Sequence, residues 1–249
     1  MSRTGTAEVQ DLVCIPGWGM SANVWQPMAD VFAGDAIMHM PELPAHAAVH
    51  QTTTGSLTQM VDSVGHGQPH GCIVVGWSLG GLIALAWALA KPAQVRRLIL
   101  VCATPCFVRR PGWETAMPAS VFSDFHDRMG ADTRGTLQRF CALQAAGDAS
   151  GRRVLRELVG MVSTANQDSL DWGLRVLRDT DVRDTLSYIE QPVLVIHGEH
   201  DRLVPLAAAE YLASRVRNGK LVVIPGASHA PFVSEPEKTF GAIRDFIHG

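Results

Sequence analysis

At 249 residues and 47% hydrophobic content, the chain can bury one large α/β core or two small ones without disulfide help. Twenty-one Lys and Arg against 24 Asp and Glu leave a net charge of −3, which excludes the basic field that nucleic acid requires. The longest apolar run, residues 79–90, is too short to span a bilayer, and the first ten residues lack the apolar segment of a secretory signal. A soluble, cytoplasmic protein is expected, with neither nucleic acid nor membrane as partner.

In chain order, short apolar runs at 12–15, 36–40, 73–75, 98–102, 193–197 and 221–224 predict strands. The runs are continuous rather than alternating, as in strands covered on both faces. Helices are expected at 57–66, behind the capping pattern Ser56-x-x-Gln59, and at 82–90, 204–217 and 236–248. Strand alternating with helix places the chain in the α/β class, with a mainly parallel, doubly wound sheet. The alternation breaks at 107–188, which holds helical periodicity and no strand run, between Pro105 and Pro111 on one side and Pro192 on the other. It is expected to be an inserted helical cap, leaving 1–106 and 189–249 as the core. The five cysteines, 14, 72, 102, 106 and 141, form an odd set without metal-ligand spacing. No disulfide, metal or cofactor is expected.

Three loops carry chemistry. Gly76-Trp77-Ser78-Leu79-Gly80-Gly81 lies between a strand run and an apolar helix, the setting of a nucleophile elbow. Glycines two before and two after the serine remove side chains that would collide in so tight a turn. A serine hydroxyl needs a base and a group to orient it. Asp201 follows the fifth strand run and His229 follows the sixth, so Ser, Asp and His all stand at the carboxyl edge of the sheet. Taken singly, Asp201 reads as a capping residue and His229 as a loop histidine; their joint placement favours a triad. Glu199 and His200 are the rivals to Asp201, and His197 is expected to face the core. The first strand runs into Pro16-Gly17-Trp18-Gly19-Met20, where the Trp18 N–H can complement that of Leu79 as an oxyanion donor.

With these loops the chain resembles the α/β-hydrolase family over nearly its whole length, in the order nucleophile, acid, histidine. Many members carry His-Gly where this chain has Pro16-Gly17, and D-L-P-G-x-G-x-S where it has Glu42-Leu43-Pro44-Ala45-His46-Ala47. Within the family it is most similar to the esterases that cleave pimeloyl-[acyl-carrier protein] methyl ester in biotin synthesis. The strings that carry this are Gly17-Trp18-Gly19, Asn23-Val24-Trp25, Pro105-Cys106-Phe107, Arg139-Phe140-x-Ala142-Leu143-Gln144, Gly173-Leu174 and His229-Ala230-Pro231-Phe232. The resemblance implies the α/β-hydrolase fold, a Ser78-His229-Asp201 triad, and an acyl site formed by Trp18, Ser78, Leu79, Phe140, Cys141, Ala142, Leu143 and Gln144. A broad small-ester hydrolase, a lactonase or a carbon-carbon bond hydrolase remains open on the same triad, as does a binding protein that has lost its chemistry. From residue 134 to 156 five arginines face Asp148 alone. Such a stretch suits an acidic partner, namely acyl-carrier protein bearing the pimeloyl methyl ester, with Arg139, Arg152 and Arg156 as docking residues. Solvated helix faces are the alternative. A monomer is expected.

Overall fold

The structure is a computed structural model that describes residues 9–44 and 56–249. Six strands form one parallel sheet: β1 (Gln10–Ile15), β2 (Ala36–His39), β3 (Cys72–Trp77), β4 (Val95–Val101), β5 (Pro192–Gly198) and β6 (Asn218–Ile224), in the order β2-β1-β3-β4-β5-β6. The chain first moves outward from β1 to β2, then returns across β1 to β3 and proceeds the other way. The direction of winding reverses between β1 and β3, where Cys14 pairs with Val75 and Ile15 with Gly76. A crevice opens at the carboxyl ends of strands where the order reverses in this way. Pro16-Gly17-Trp18 leaves β1 there, and Ser78 leaves β3.

Both faces of the sheet are covered because every second residue of each apolar run enters a different core. Val13, Val74, Leu98, Leu100, Val193 and Val195 belong to one buried cluster. Their neighbours Leu12, Cys14, Ile73, Val75, Ile99 and Leu194 belong to the other. One face is covered by α2 (Leu57–Gly65), α3 (Leu79–Ala90) and α8 (Leu206–Arg215). The other is covered by α1 (Gln26–Val31), α9 (Pro231–Ser234) and α10 (Pro236–His248). The capping pattern before α2 forms as expected: Ser56 accepts from the Gln59 N–H, and the Gln59 side chain accepts from the Ser56 N–H.

Two helix starts differ from the sequence expectation. Helix α3 begins at Leu79 rather than at 82, because Gly80 and Gly81 serve close packing and do not break the helix. A Cβ on Gly80 would lie 2.4 Å from the Ile15 oxygen, and one on Gly81 2.4 Å from the Ala103 Cβ. Helix α8 begins after Pro205 rather than at 204, because the Leu203 and Val204 N–H groups are spent on the Asp201 carboxylate.

Between β4 and β5 the chain forms α4 (Ala119–Ala131), α5 (Thr133–Ala145), α6 (Gly151–Gly160) and α7 (Gln167–Asp179), then a short 3-10 turn at Arg183–Tyr188. Helix α7 buries Leu170, Trp172, Leu174, Val176 and Leu177, whereas α4 buries only Phe122 and Met129. The turn between α5 and α6 is fastened to the loop after β6. Ser228 N–H donates to Asp148 at 3.0 Å, and the Ser228 hydroxyl donates to the Ala146 oxygen at 2.9 Å.

Gly80→Ala is expected to cost about 3 kcal/mol or more, because the obstructing atoms are main chain and cannot rotate away. That corresponds to a fall in Tm of roughly 6–12 °C for a chain of this size. Gly241→Ala in α10, where an added Cβ meets nothing within 4 Å, serves as the control. Calorimetry on the pair checks it, and equal Tm values would refute the close approach of the elbow to β1.

Candidate active site

Ser78 sits at the hinge from β3 into α3 with φ 55° and ψ −115°. Only one other non-glycine residue with positive φ, Cys102, occurs among the described residues. That conformation costs on the order of 1–3 kcal/mol in a residue with a side chain, and such strain concentrates at functional sites. The turn is held by its surroundings. Ser78 N–H donates to the Val101 oxygen at 2.9 Å, and Gly81 and Leu82 donate to the Ser78 oxygen. A Cβ on Gly76 would lie 2.3 Å from the Gly80 oxygen, so position 76 must be glycine for the turn to close. The serine side chain is half-buried, while both flanking residues are buried.

Two backbone donors follow the carboxyl ends of the paired strands β1 and β3. The N–H groups of Trp18 and Leu79 have no acceptor among the described residues. Trp18 itself is fixed by its indole N–H, which donates to the Leu170 oxygen at 2.7 Å. It is also fixed by edge contacts with Phe125 and Phe140, at 5.5 and 4.9 Å between ring centroids. Gly173 makes this possible, since a Cβ there would lie 2.6 Å from Trp18 Cδ1.

Asp201 and His229 meet as a buried pair, with His229 Nδ1 donating to Asp201 Oδ2 at 2.7 Å. Asp201 Oδ1 accepts from Leu203 N–H at 2.9 Å and Val204 N–H at 3.0 Å. Burial alone would raise the Asp201 carboxyl. The His229 ring and its hydrogen bond, then His197 and the Val204 N–H, outweigh this and hold it below the ordinary carboxylate value. The carboxylate is therefore ionised, and the proton of the pair resides on His229 Nδ1. His229 Nε2 is buried and has no hydrogen-bond partner among the described residues. Ser78 and His229 share no hydrogen bond here; such bonds commonly tighten only around substrate.

His229 is clamped through its backbone. Its N–H donates to the Gln144 oxygen at 3.2 Å, and its own oxygen accepts from the Trp77 indole at 2.7 Å. The tryptophan before Ser78 thus ties the histidine loop to the elbow. The rivals to Asp201 face elsewhere: Glu199 is exposed and accepts from Gly226 N–H, and the exposed His200 ring lies 3.8 Å from Glu199.

Above the crevice lies a cavity with a wholly apolar lining. Helix α4 supplies Val121, Phe122 and Phe125 to its wall, and α7 supplies Leu174 and Leu177. Trp18, Phe140, Leu143 and Leu203 complete the side nearest the triad loops. Of the stretch expected to line an acyl site, Phe140 and Leu143 line this cavity. Cys141 instead packs into the other core cluster, where burial pushes its thiol up to about 11, and Ala142 is exposed. Gln144 is fully buried and contributes its carbonyl to His229 rather than a wall to this cavity. The alternation follows from α5, whose 3.6-residue period turns 140 and 143 to one side and 141 to the opposite side. Ala45–Ala47, part of one departure from the family pattern, lie outside the described residues.

Cys102, His197 and Asp201 each bring one ligand-type atom within 4.8 Å of the others. Sequence spacing gave no hint of this group, because β4 and β5 bring it together. Its atoms are already committed: Asp201 to His229 and two amides, His197 Nε2–H to the Val204 oxygen, and the Cys102 thiol to the Ser228 oxygen. No described helix is long and apolar enough to cross a membrane.

A family model described as "Alpha/beta hydrolase family" matches residues 12–242. The chain belongs to that family. This hydrolase is 38% identical over 247 residues to a pimeloyl-[acyl-carrier protein] methyl ester esterase of Aromatoleum aromaticum, covering 96% of this chain and 98% of the relative. It is 36% identical over 236 residues to the esterase of the same name from Nitrosomonas europaea, covering 94% of each. Among solved structures, an esterase from Exiguobacterium antarcticum matches with a TM-score of 0.87 at 22% identity, over 96% of this hydrolase and 92% of that chain. That likeness is one of fold.

Proposed function

We propose that this hydrolase is a serine carboxylesterase that cleaves the methyl ester of pimeloyl-[acyl-carrier protein]. The observation that carries the chemistry is the buried 2.7 Å bond from His229 Nδ1 to an ionised Asp201, which leaves Nε2 as a free base at the edge where Ser78 is presented. Asp201 holds His229 in the tautomer with its proton on Nδ1. Nε2 takes the Ser78 proton as Oγ attacks the ester carbonyl carbon, and the negative charge on the carbonyl oxygen falls to the Trp18 and Leu79 N–H groups. His229 then protonates the departing methoxide, releasing methanol and leaving an acyl-serine. Water, deprotonated by the same Nε2, hydrolyses that ester and restores the enzyme.

The choice of substrate is supported by the two relatives of that name, aligned over nearly the whole chain, and by a cavity whose lining offers no charge. An apolar wall suits the methylene chain and methyl ester of the substrate, and a free carboxylate at that end would be costly to bury. Methyl ester hydrolysis followed by growth of a biotin auxotroph lacking this step tests the reading. Turnover of small esters without growth would favour the broader esterase.

For the carrier protein, Arg139 on α5 and Arg152 and Arg156 on α6 are exposed, and of these Arg139 lies only at the 4.0 Å limit of a surface pair with Asp132. Arg153 is unlike them, because its guanidinium is spent on the Val233 and Ser234 oxygens and Glu157. Reversing Arg139, Arg152 and Arg156 to Glu together is expected to raise KM for carrier-bound substrate about tenfold at low salt and to flatten its salt dependence. Turnover of a small soluble ester should stay within about twofold, since rim charges govern encounter rather than chemistry. Steady-state kinetics on both substrates across a salt series checks this. Equal loss on both would place these arginines in the pocket's support instead.

A further inference from the structure

Behind the Asp-His pair stands a second histidine that the mechanism above does not use. His197, at the end of β5, is fully buried. Its Nε2 lies 2.9 Å from the Val204 oxygen, and a carbonyl can only accept, so Nε2 carries the proton. Its Nδ1 is buried without a partner among the described residues. A charged ring would put a second N–H there with nothing to receive it. Burial, opposed by the smaller pull of Asp201, holds the ring below its ordinary imidazole value, in agreement with a neutral Nε2–H tautomer.

The partner it holds is the residue that aims the acid. Val204 N–H donates to Asp201 Oδ1, beside the Leu203 N–H, while the Val204 oxygen is taken by His197. Pro205 follows directly and α8 starts only at Leu206, its first turn closing on the Pro205 oxygen, so Val204 gains no support from the helix. The same His197 Nε2 lies 3.6 Å from Asp201 Oδ2, the oxygen that receives the His229 proton. The groups facing His197 are Asp201, His229 and the Cys102 thiol, which burial keeps protonated and which points to the Ser228 oxygen.

We propose that His197 is a positioning residue for the triad: its Nε2–H ties down Val204 and thereby fixes the loop whose two amides point the Asp201 carboxylate at His229. The inference rests on the reading of Asp201 as the triad acid. Without His197, the Val204 oxygen is left buried and unpaired, the 201–204 loop gains freedom, and the Asp201 to His229 bond loosens although both residues remain. Substrate binding should change little, because His197 is not among the cavity's lining residues and the loop it anchors contributes only Leu203 to the wall.

The test uses three variants of the full chain beside Asp201→Asn. His197→Phe keeps a flat ring, somewhat larger, and deletes the donor. His197→Gln places an amide N–H where Nε2 was, and His197→Asn places one nearer the position of Nδ1. The expected result is a fall in kcat of about 10- to 100-fold for His197→Phe, with KM within about twofold. His197→Gln should recover to within a few-fold of wild type and His197→Asn should not. The downfield proton resonance of His229 Nδ1–H should broaden or vanish in the Phe variant and return in the Gln variant, a change that a merely structural role would not produce. If His197→Phe fails to fold, the Gln and Asn variants decide: equal kcat in the two overturns the proposal. Wild-type kcat with an intact downfield resonance in His197→Phe overturns it too, as does a Gln variant no better than Phe. Full activity in Asp201→Asn would instead bring down the triad reading itself, so the two failures are distinguishable.

Discussion

Ser78→Ala is expected to lower kcat by about 10⁴- to 10⁶-fold while leaving the protein folded. The backbone at 78 is already in its strained conformation for reasons that have nothing to do with the hydroxyl. Its N–H is held by Val101, its oxygen by Gly81 and Leu82, and the glycines two before and two after it leave no room for a Cβ. Alanine keeps the Cβ that the site already accommodates and removes only Oγ, so Tm should move by no more than a few degrees. What activity remains would come from the Trp18 and Leu79 donors and the apolar cavity acting on water. Kinetics on a chromogenic short-chain ester, with calorimetry on the same preparation, checks both halves. Retention of more than a few per cent of kcat in a folded Ser78→Ala protein would end the serine mechanism.

The parts of the molecule that were legible in the sequence are those set by local rules. Val74 and Val75 and their counterparts announce buried strands because both faces are covered, so no polar alternation interrupts them. Ser78, Asp201 and His229 could be placed together because each follows a strand of a parallel sheet, and parallel strands end at one edge. The cavity was only half visible. Phe140 and Leu143 were found with Cys141 and Ala142 attached, because a short motif does not say which side of α5 faces inward. Val121, Phe122 and Phe125 were missed, because their position depends on how α4 lies across α7, which no spacing within α4 encodes. The role of Gln144 was hidden for another reason: it acts through its carbonyl, and main-chain contacts leave no mark on residue identity. His197 was expected in the core and is there, but that its Nε2 reaches the residue aiming Asp201 depends on a turn between β5 and α8 that only the three-dimensional fold supplies.

Asp201→Asn is the second large expected effect, a loss in kcat of about 10⁴-fold with KM changed by no more than a few-fold. The direction follows from which oxygen does what. Oδ1 accepts two backbone N–H groups, from Leu203 and Val204, and an amide nitrogen placed there would set donor against donor. The asparagine must therefore keep its oxygen toward those amides and turn its NH₂ toward His229. A donor in the place of Oδ2 needs an acceptor, so His229 Nδ1 gives up its proton and the ring takes the tautomer protonated at Nε2. The nitrogen that should receive the Ser78 proton then already carries one. The fold has little reason to change, because the amide matches the carboxylate in shape, keeps both backbone bonds at its oxygen and reverses only the bond to His229. The downfield Nδ1–H resonance should disappear while Tm stays within a few degrees. Glu199→Gln and His200→Ala, which alter exposed groups that touch neither Asp201 nor His229, should keep kcat within about threefold, in the range of ordinary surface changes. If either of these falls as far as Asp201→Asn, the acid has been assigned to the wrong residue of the loop.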